Sequence, residues 1–120
     1  MRFMLIANAT KESEAGIPPR PELMAAIGKL SEEMGKAGVL VGMGDLLPSS
    51  TSARVRLSGG KVTMTDGPFS EAKEVIGGYA IVQVSSKKEA IELARRFWQA
   101  HADVLGPSYE GGGEIRQMMD

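Results

Sequence analysis

The sequence predicts an α+β fold: an antiparallel sheet with two helices on one face and an extra β-hairpin. Three observations predict it. The stretches Pro21 to Ala37 and Ser86 to Ala102 carry apolar residues at helical spacing. Short apolar or alternating runs of strand length flank each of them. Between the two, Ala53–Ser58 and Lys61–Asp66 are joined by Gly59-Gly60 alone, the two-residue connection of a tight hairpin.

Taken in order, Arg2 to Asn8 is an apolar run and reads as a central strand. Ala9 to Arg20 is polar, contains Gly16, Pro18 and Pro19, and reads as a long loop. A helix starts at Pro21, where the missing N–H of proline would have had no partner anyway. Its stripe is Leu23, Ile27, Leu30, Met34 and Ala37, and Gly38 stops it. Val39 to Met43 is a short strand running into Gly44-Asp45. After the loop Leu46 to Ser52 comes the hairpin, whose turn sets Val55 opposite Met64 and Leu57 opposite Val62. Arg54 then faces Thr65 and Arg56 faces Thr63 on the other side, while Asp66 leans toward the apolar side at the strand's end. Gly78 to Val84 is the next strand, with Tyr79, Ile81 and Gln83 on one face and Ala80, Val82 and Val84 on the other. Ser86 and Glu89 have the spacing of a reciprocal N-terminal cap. The second helix carries Ala90, Ile91, Ala94, Phe97, Trp98 and His101 on one stripe, and Gly106-Pro107 ends any continuation. Gly111 to Gly113 leads into a final short strand, Glu114 to Met118.

The resulting order, β-α-β, hairpin, β-α-β, is that of a ferredoxin-like domain with an insertion. Such a sheet leaves its second face bare. These strands are too apolar to meet water there, so a homodimer is expected. At 120 residues one domain spans the whole chain, and a core forms without staples. The 42% hydrophobic content supports that core, and 15 glycines with 6 prolines imply many turns.

The absence of cysteine removes disulfides, thiolate metal sites and a cysteine nucleophile, and a cytoplasmic location is expected. Met1 to Asn8 has one basic residue and too short an apolar run for a signal peptide. No apolar stretch approaches the ~20 residues that span a bilayer. Net charge is −1 and the 14 basic residues are scattered, with no basic stripe to follow a phosphate backbone. Neither nucleic acid nor membrane is therefore an expected partner; a small molecule or another protein is.

The candidate chemistry concentrates between Asp66 and Tyr79. Asp66 either borders a cavity, where it orients a substrate or acts as a base, or shapes the turn by bonding nearby N–H groups; the two are compatible. Tyr79 follows Gly77-Gly78, which admits close approach of a ligand or a backbone. It either donates its hydroxyl to a ligand or sits half-buried at an interface. Lys73 and Glu74 either contact ligand or belong to a solvated bend. Arg54 and Arg56 either bind a carboxylate or phosphate or form the polar face of the hairpin. His101, the only histidine, is either a general acid or base in a cleft or a packed residue beside Phe97 and Trp98. One histidine and no cysteine leave no transition-metal site in prospect. Gly111 to Gly113 lacks the lysine and following helix of a phosphate loop. The 8 methionines fit plastic core packing, so no cofactor is expected.

Several of these residues also carry a family resemblance. Asp66-Gly67-Pro68-Phe69, the following Glu71, Lys73, Glu74 and Gly77-Gly78-Tyr79, Glu14-Ala15-Gly16 with Pro18, and Lys36 to Leu40 together resemble the YCII-related proteins, in their DGPF-type branch. The resemblance runs almost the full length. It implies a ferredoxin-like dimeric α+β barrel with a cleft near the dimer interface. It also implies enzymes using a histidine and an aspartate, although the first helix, where relatives carry that histidine, has none here. The last strand, Glu114 to Gln117, also lacks the proline that often follows its arginine. The function expected is a homodimeric small-molecule enzyme or binding protein with a cleft involving Asp66, Tyr79 and His101. The alternative is a non-catalytic regulatory or interaction module, which would display an exposed apolar patch.

Overall fold

The sheet of this protein is antiparallel throughout and runs in the order Leu40–Asp45, Ile76–Gln83, Arg2–Asn8, Gly113–Gln117. The structure, a computed structural model, describes residues 1–71 and 75–120. Its strands are β1 (Arg2–Asn8), β2 (Leu40–Asp45), β5 (Ile76–Gln83) and β6 (Gly113–Gln117). A separate two-stranded hairpin is formed by β3 (Ala53–Ser58) and β4 (Lys61–Asp66). The helices are α1 (Lys11–Glu14), α2 (Pro21–Lys36) and α3 (Lys87–Leu105), with a 3-10 turn at Ser49–Thr51. With the hairpin set aside, the architecture is α+β and consistent with a ferredoxin-like arrangement.

Strand alternation decides where the core sits. Phe3 and Val82 point to the same face and are buried with Met34 of α2 and Ala90 of α3, together with Val84. Leu5, Leu30, Leu40, Leu93 and Ile115 pack around them, so both long helices cover one face of the sheet. Burying each large apolar side chain stabilises the fold by about 1.5–3 kcal/mol. An exposed Arg96–Glu33 ion pair also links α3 to α2. Among the described residues no helix is long and apolar enough to cross a membrane.

The hairpin has the expected register: Val55 pairs with Met64, Leu57 with Val62, Arg54 with Thr65 and Arg56 with Thr63. Gly59 and Gly60 both take positive φ, as this turn demands of its two central residues. Neither strand bonds to the main sheet, and every residue of both is exposed.

Two local features differ from expectation. Ala9 to Arg20 is not wholly a loop, because α1 forms within it. Thr10 Oγ1 accepts the Ser13 N–H at 3.1 Å and Ser13 Oγ accepts the Thr10 N–H at 2.8 Å. A serine thus fills the place where a glutamate or glutamine would have advertised the cap. At the start of α3 the reciprocal cap is only half made. Ser86 Oγ accepts the Glu89 N–H at 3.2 Å, but the Glu89 carboxylate reaches one residue further back. There it accepts from the Ser85 N–H and the Ser85 hydroxyl, each at 2.8 Å. Those two bonds hold the Glu89 carboxyl below its ordinary value.

A candidate ligand cleft

The sheet tapers along the face it turns to the helices. At one end a row across the strands reads Gln117, Phe3, Val82, Leu40. The next inward row is Ile115, Leu5, Ala80, Met43. The last is Gly113, Ala7, Gly78, Asp45, which offers almost no side chain beyond one carboxylate. Helix α2 begins above this end and α3 finishes there. Large residues fill the space beneath the helices at the Phe3 end. At the glycine end they do not, and a cleft of about 1180 Å³ opens there and runs beneath the helices as far as Leu30, Met34 and Leu40. Its walls include Ala7, Leu23, Ile27, Trp98, His101 and Tyr109, and residues of the segment around α1 close one side.

One wall is aromatic because α3 presents Phe97, Trp98 and His101 on its inner stripe and the loop after it returns Tyr109. Ring centroids lie 5.1 Å apart for Phe97 and Trp98. His101 sits 4.5 Å from Phe97, 5.0 Å from Trp98 and 5.6 Å from Tyr109. Gly111 fits against this wall only as glycine: a Cβ there would come within 2.8 Å of both Trp98 Cζ3 and Tyr109 Oη. Burial, and then the negative charge of Glu12, push the Tyr109 phenol above its ordinary value.

The orientation of His101 follows from one contact. Its Nδ1 lies 2.9 Å from the carbonyl oxygen of Phe97, one helical turn earlier. A carbonyl oxygen only accepts, so Nδ1 carries the proton and Nε2 of the neutral ring is an acceptor. Among the described residues Nε2 has no hydrogen-bond partner, and the half-buried imidazole lines the cleft.

The residues singled out from sequence separate into two places. His101 lines the cleft, and Tyr79 borders it. By strand alternation the Tyr79 ring turns to the opposite face of the sheet, where it covers Gly44: a Cβ on Gly44 would lie 3.0 Å from Tyr79 Cε1. Asp66 and Arg54 do not line the cleft. Asp66 is exposed at the end of β4, paired with Ala53. The Arg54 guanidinium stands 3.8 Å over the ring of Phe69, a cation–π contact. Lys73 and Glu74 lie outside the described residues.

The Asp66-Gly67-Pro68-Phe69 turn instead forms a clasp around Ser49. Ser49 is only 3% exposed. Its N–H donates to Glu14 Oε1 at 2.9 Å and its hydroxyl donates to the other carboxylate oxygen of Glu14. That same hydroxyl accepts the Phe69 N–H at 3.0 Å. Ser52 Oγ donates to the Ser49 carbonyl at 2.7 Å, and the Gly67 N–H donates to the Ser52 carbonyl at 2.8 Å. Gly67 must be glycine, since a Cβ would run into the Ser49 carbonyl oxygen. One serine thus ties α1, which borders the cleft, to the base of the hairpin.

Three contributors were not singled out from sequence. Asp45 ends β2 with its Oδ1 over Gly78, 3.0 Å from where a Cβ would stand, and lines the cleft. Its position after Gly44 at a strand end was the available signal. Tyr109 is a lone aromatic between Gly106-Pro107 and three glycines, a placement that marks a ring anchored in a loop. Ser49 sits in a run of small polar residues that carries no comparable mark. Among the described residues no group of histidine, aspartate and glutamate side chains converges to hold a metal ion.

The sequence matches the YCII-related domain over residues 1–106. It is also 32% identical over 87 residues to an uncharacterized protein of Rhizobium meliloti (strain 1021). That alignment takes in 72% of this chain and 66% of the relative, so the chain spans just under two-thirds of the relative's length. With the domain extending over residues 1–106, the chain belongs to the YCII-related family.

Proposed function

We propose that this protein binds a small molecule in the cleft between the glycine end of the sheet and the helices, with His101 as its proton-accepting group. The observation that carries the reading is the free Nε2 of His101, whose opposite nitrogen is committed to the Phe97 carbonyl at 2.9 Å. A cleft of about 1180 Å³ is ample for a metabolite-sized ligand. Asp45 sits at its border, where its carboxylate can reach part of a ligand that extends outward, while the Tyr79 ring covers Gly44 on the sheet's other face. Native mass spectrometry of protein purified from its host tests this. A bound mass that disappears in His101→Ala supports it; a ligand located elsewhere overturns it.

The same reading includes a homodimer and membership of the DGPF-type branch. Support for the branch is the Asp66 to Phe69 turn, clasped to Glu14 through Ser49. Support for the dimer is apolar surface that this chain leaves bare. On the hairpin, Val55, Leu57, Val62 and Met64 are 65%, 72%, 62% and 66% exposed. The sheet's outer face carries Met4, Ile6 and Ile81, each half-buried. Sedimentation at micromolar concentration is expected to give twice the chain mass, and a monomer contradicts the dimer.

A second reading, a protein-interaction module, rests on the same hairpin face. The double variant Leu57→Glu, Met64→Glu separates the two. Dissociation of the dimer assigns that face to a second copy. An unchanged dimer leaves the face to a different protein.

A further inference from the structure

Resting on the cleft reading above, we infer that the ligand is an uncharged, planar aromatic compound carrying a hydroxyl or N–H donor, such as a phenol or an indole.

Planarity comes from the two walls. On one side stand four rings, Phe97, Trp98, His101 and Tyr109, linked by centroid distances of 4.5 to 5.6 Å. Rings of this kind attract a further aromatic in offset or edge contact. On the other side the sheet row is Gly113, Ala7 and Gly78, which is nearly bare backbone. A flat ligand touches such a floor over its whole face, whereas a bulky aliphatic one meets only its high points.

Neutrality comes from charge balance. Along the cleft stand Glu12 and Asp45 against Arg20, Lys87 and Arg95, charges of both signs, while Glu114 pairs with Ile6 on the opposite face and lies 3.4 Å from Arg116. Arg20 is already engaged, 3.5 Å from Glu22 and donating to the Val104 carbonyl at 3.3 Å, and Arg95 lies 3.5 Å from Glu92. Tyr109 is held in its neutral form and adds no charge. An ionic ligand would leave water without a matching field to compensate it.

The donor comes from His101. With Nδ1 committed to the Phe97 carbonyl, Nε2 of the neutral ring can only accept. A ligand with no O–H or N–H buries that lone pair unsatisfied, which is penalised far more than a missing apolar contact.

Trp98 is the only tryptophan, so its single indole N–H resonance reports on this wall. The test is a titration of the ¹⁵N-labelled full chain with 2-naphthol, 2-methoxynaphthalene, 2-naphthoate and decahydro-2-naphthol. The inference predicts that 2-naphthol moves the Trp98 resonance and binds at least about tenfold more tightly than each of the others. It also predicts that His101→Gln, or His101→Phe if the glutamine variant is not folded, removes the preference of naphthol over its ether. Equal affinity for the ether overturns the donor, tighter binding of naphthoate overturns neutrality, and equal affinity for the saturated alcohol overturns planarity. In those three outcomes the cleft still binds. If no probe moves the Trp98 resonance, the cleft reading fails and this inference with it.

Discussion

Replacing Ser49 with alanine asks whether the Asp66 to Phe69 turn is a structural clasp. The substitution removes one hydroxyl from a site that is 3% exposed, so water does not replace what is lost. Two bonds go. The bond donated to the Glu14 carboxylate has a charged acceptor and is worth about 1.5–3 kcal/mol. The bond accepted from the Phe69 N–H, at 3.0 Å, is neutral and worth about 0.5–1.5 kcal/mol. The Ser49 N–H remains on Glu14 Oε1, so the carboxylate keeps a partner. The expected loss is therefore about 2–4.5 kcal/mol, a large part of the roughly 5–15 kcal/mol that holds a domain together. Urea denaturation reads it as a lower midpoint at unchanged slope. Thr51→Ala is the control in the same turn. Its Oγ1 donates to the Pro48 carbonyl at 2.9 Å on the exposed side, and its loss should stay under about 1 kcal/mol. Hydrogen exchange should meanwhile quicken in Ala9 to Arg20, the segment that Glu14 anchors. A Ser49→Ala protein within about 0.5 kcal/mol of the parent would refute the clasp and return the motif to a functional reading.

Four further outcomes follow from the structure. Ala7→Phe places a ring in the cleft rather than in a filled core. It should escape most of the usual overpacking cost of about 1–3 kcal/mol while weakening 2-naphthol binding at least about tenfold, read by denaturation and by titration. The Tyr109 phenol is raised above its unfolded value of 10.0, so its share of stability is intact below about pH 10 and is lost as pH rises through the folded value. Thermal unfolding from pH 8 to 11 should show that alkaline fall, and Tyr109→Phe should flatten it. Ser86→Ala removes the acceptor for the Glu89 N–H and should cost about 1 kcal/mol in urea unfolding. Because the Glu89 carboxyl is lowered below 4.5, its bonds to Ser85 stabilise the fold above that pH and are lost as pH falls through the folded value. Glu89→Gln should remove this acid dependence.

What the sequence made legible was whatever local chemistry dictates. Gly59-Gly60 fixes a two-residue turn, and with it every pair in the hairpin. Pro21, the stripe from Leu23 to Met34 and Gly38 bound α2 because each acts within one or two turns. Helix α1 escaped because its cap uses Ser13 where the usual signal is a longer acid or amide. The cleft was illegible for another reason. Its floor is a row of residues from four strands, Gly113, Ala7, Gly78 and Asp45, brought together only by pairing across the sheet. Proximity along the chain grouped Asp66 with Tyr79, but the hairpin carries Asp66 off the sheet while Tyr79 stays on it. His101 was visible as the lone histidine on an apolar stripe. Its tautomer depends on the Phe97 carbonyl, which only the helix geometry reveals.

The protonation of the His101 ring tests the account most directly, because an Nε2 without a partner among the described residues, on a ring that lines the cleft, is what makes the cavity a site. The protein has one histidine, so long-range ¹H–¹⁵N correlation of its imidazole is free of overlap. At pH 8 the account predicts a protonated Nδ1 and a bare Nε2, with the Nε2 resonance moving as 2-naphthol saturates the protein. A proton on Nε2, or an Nε2 resonance unchanged at saturation, would contradict it.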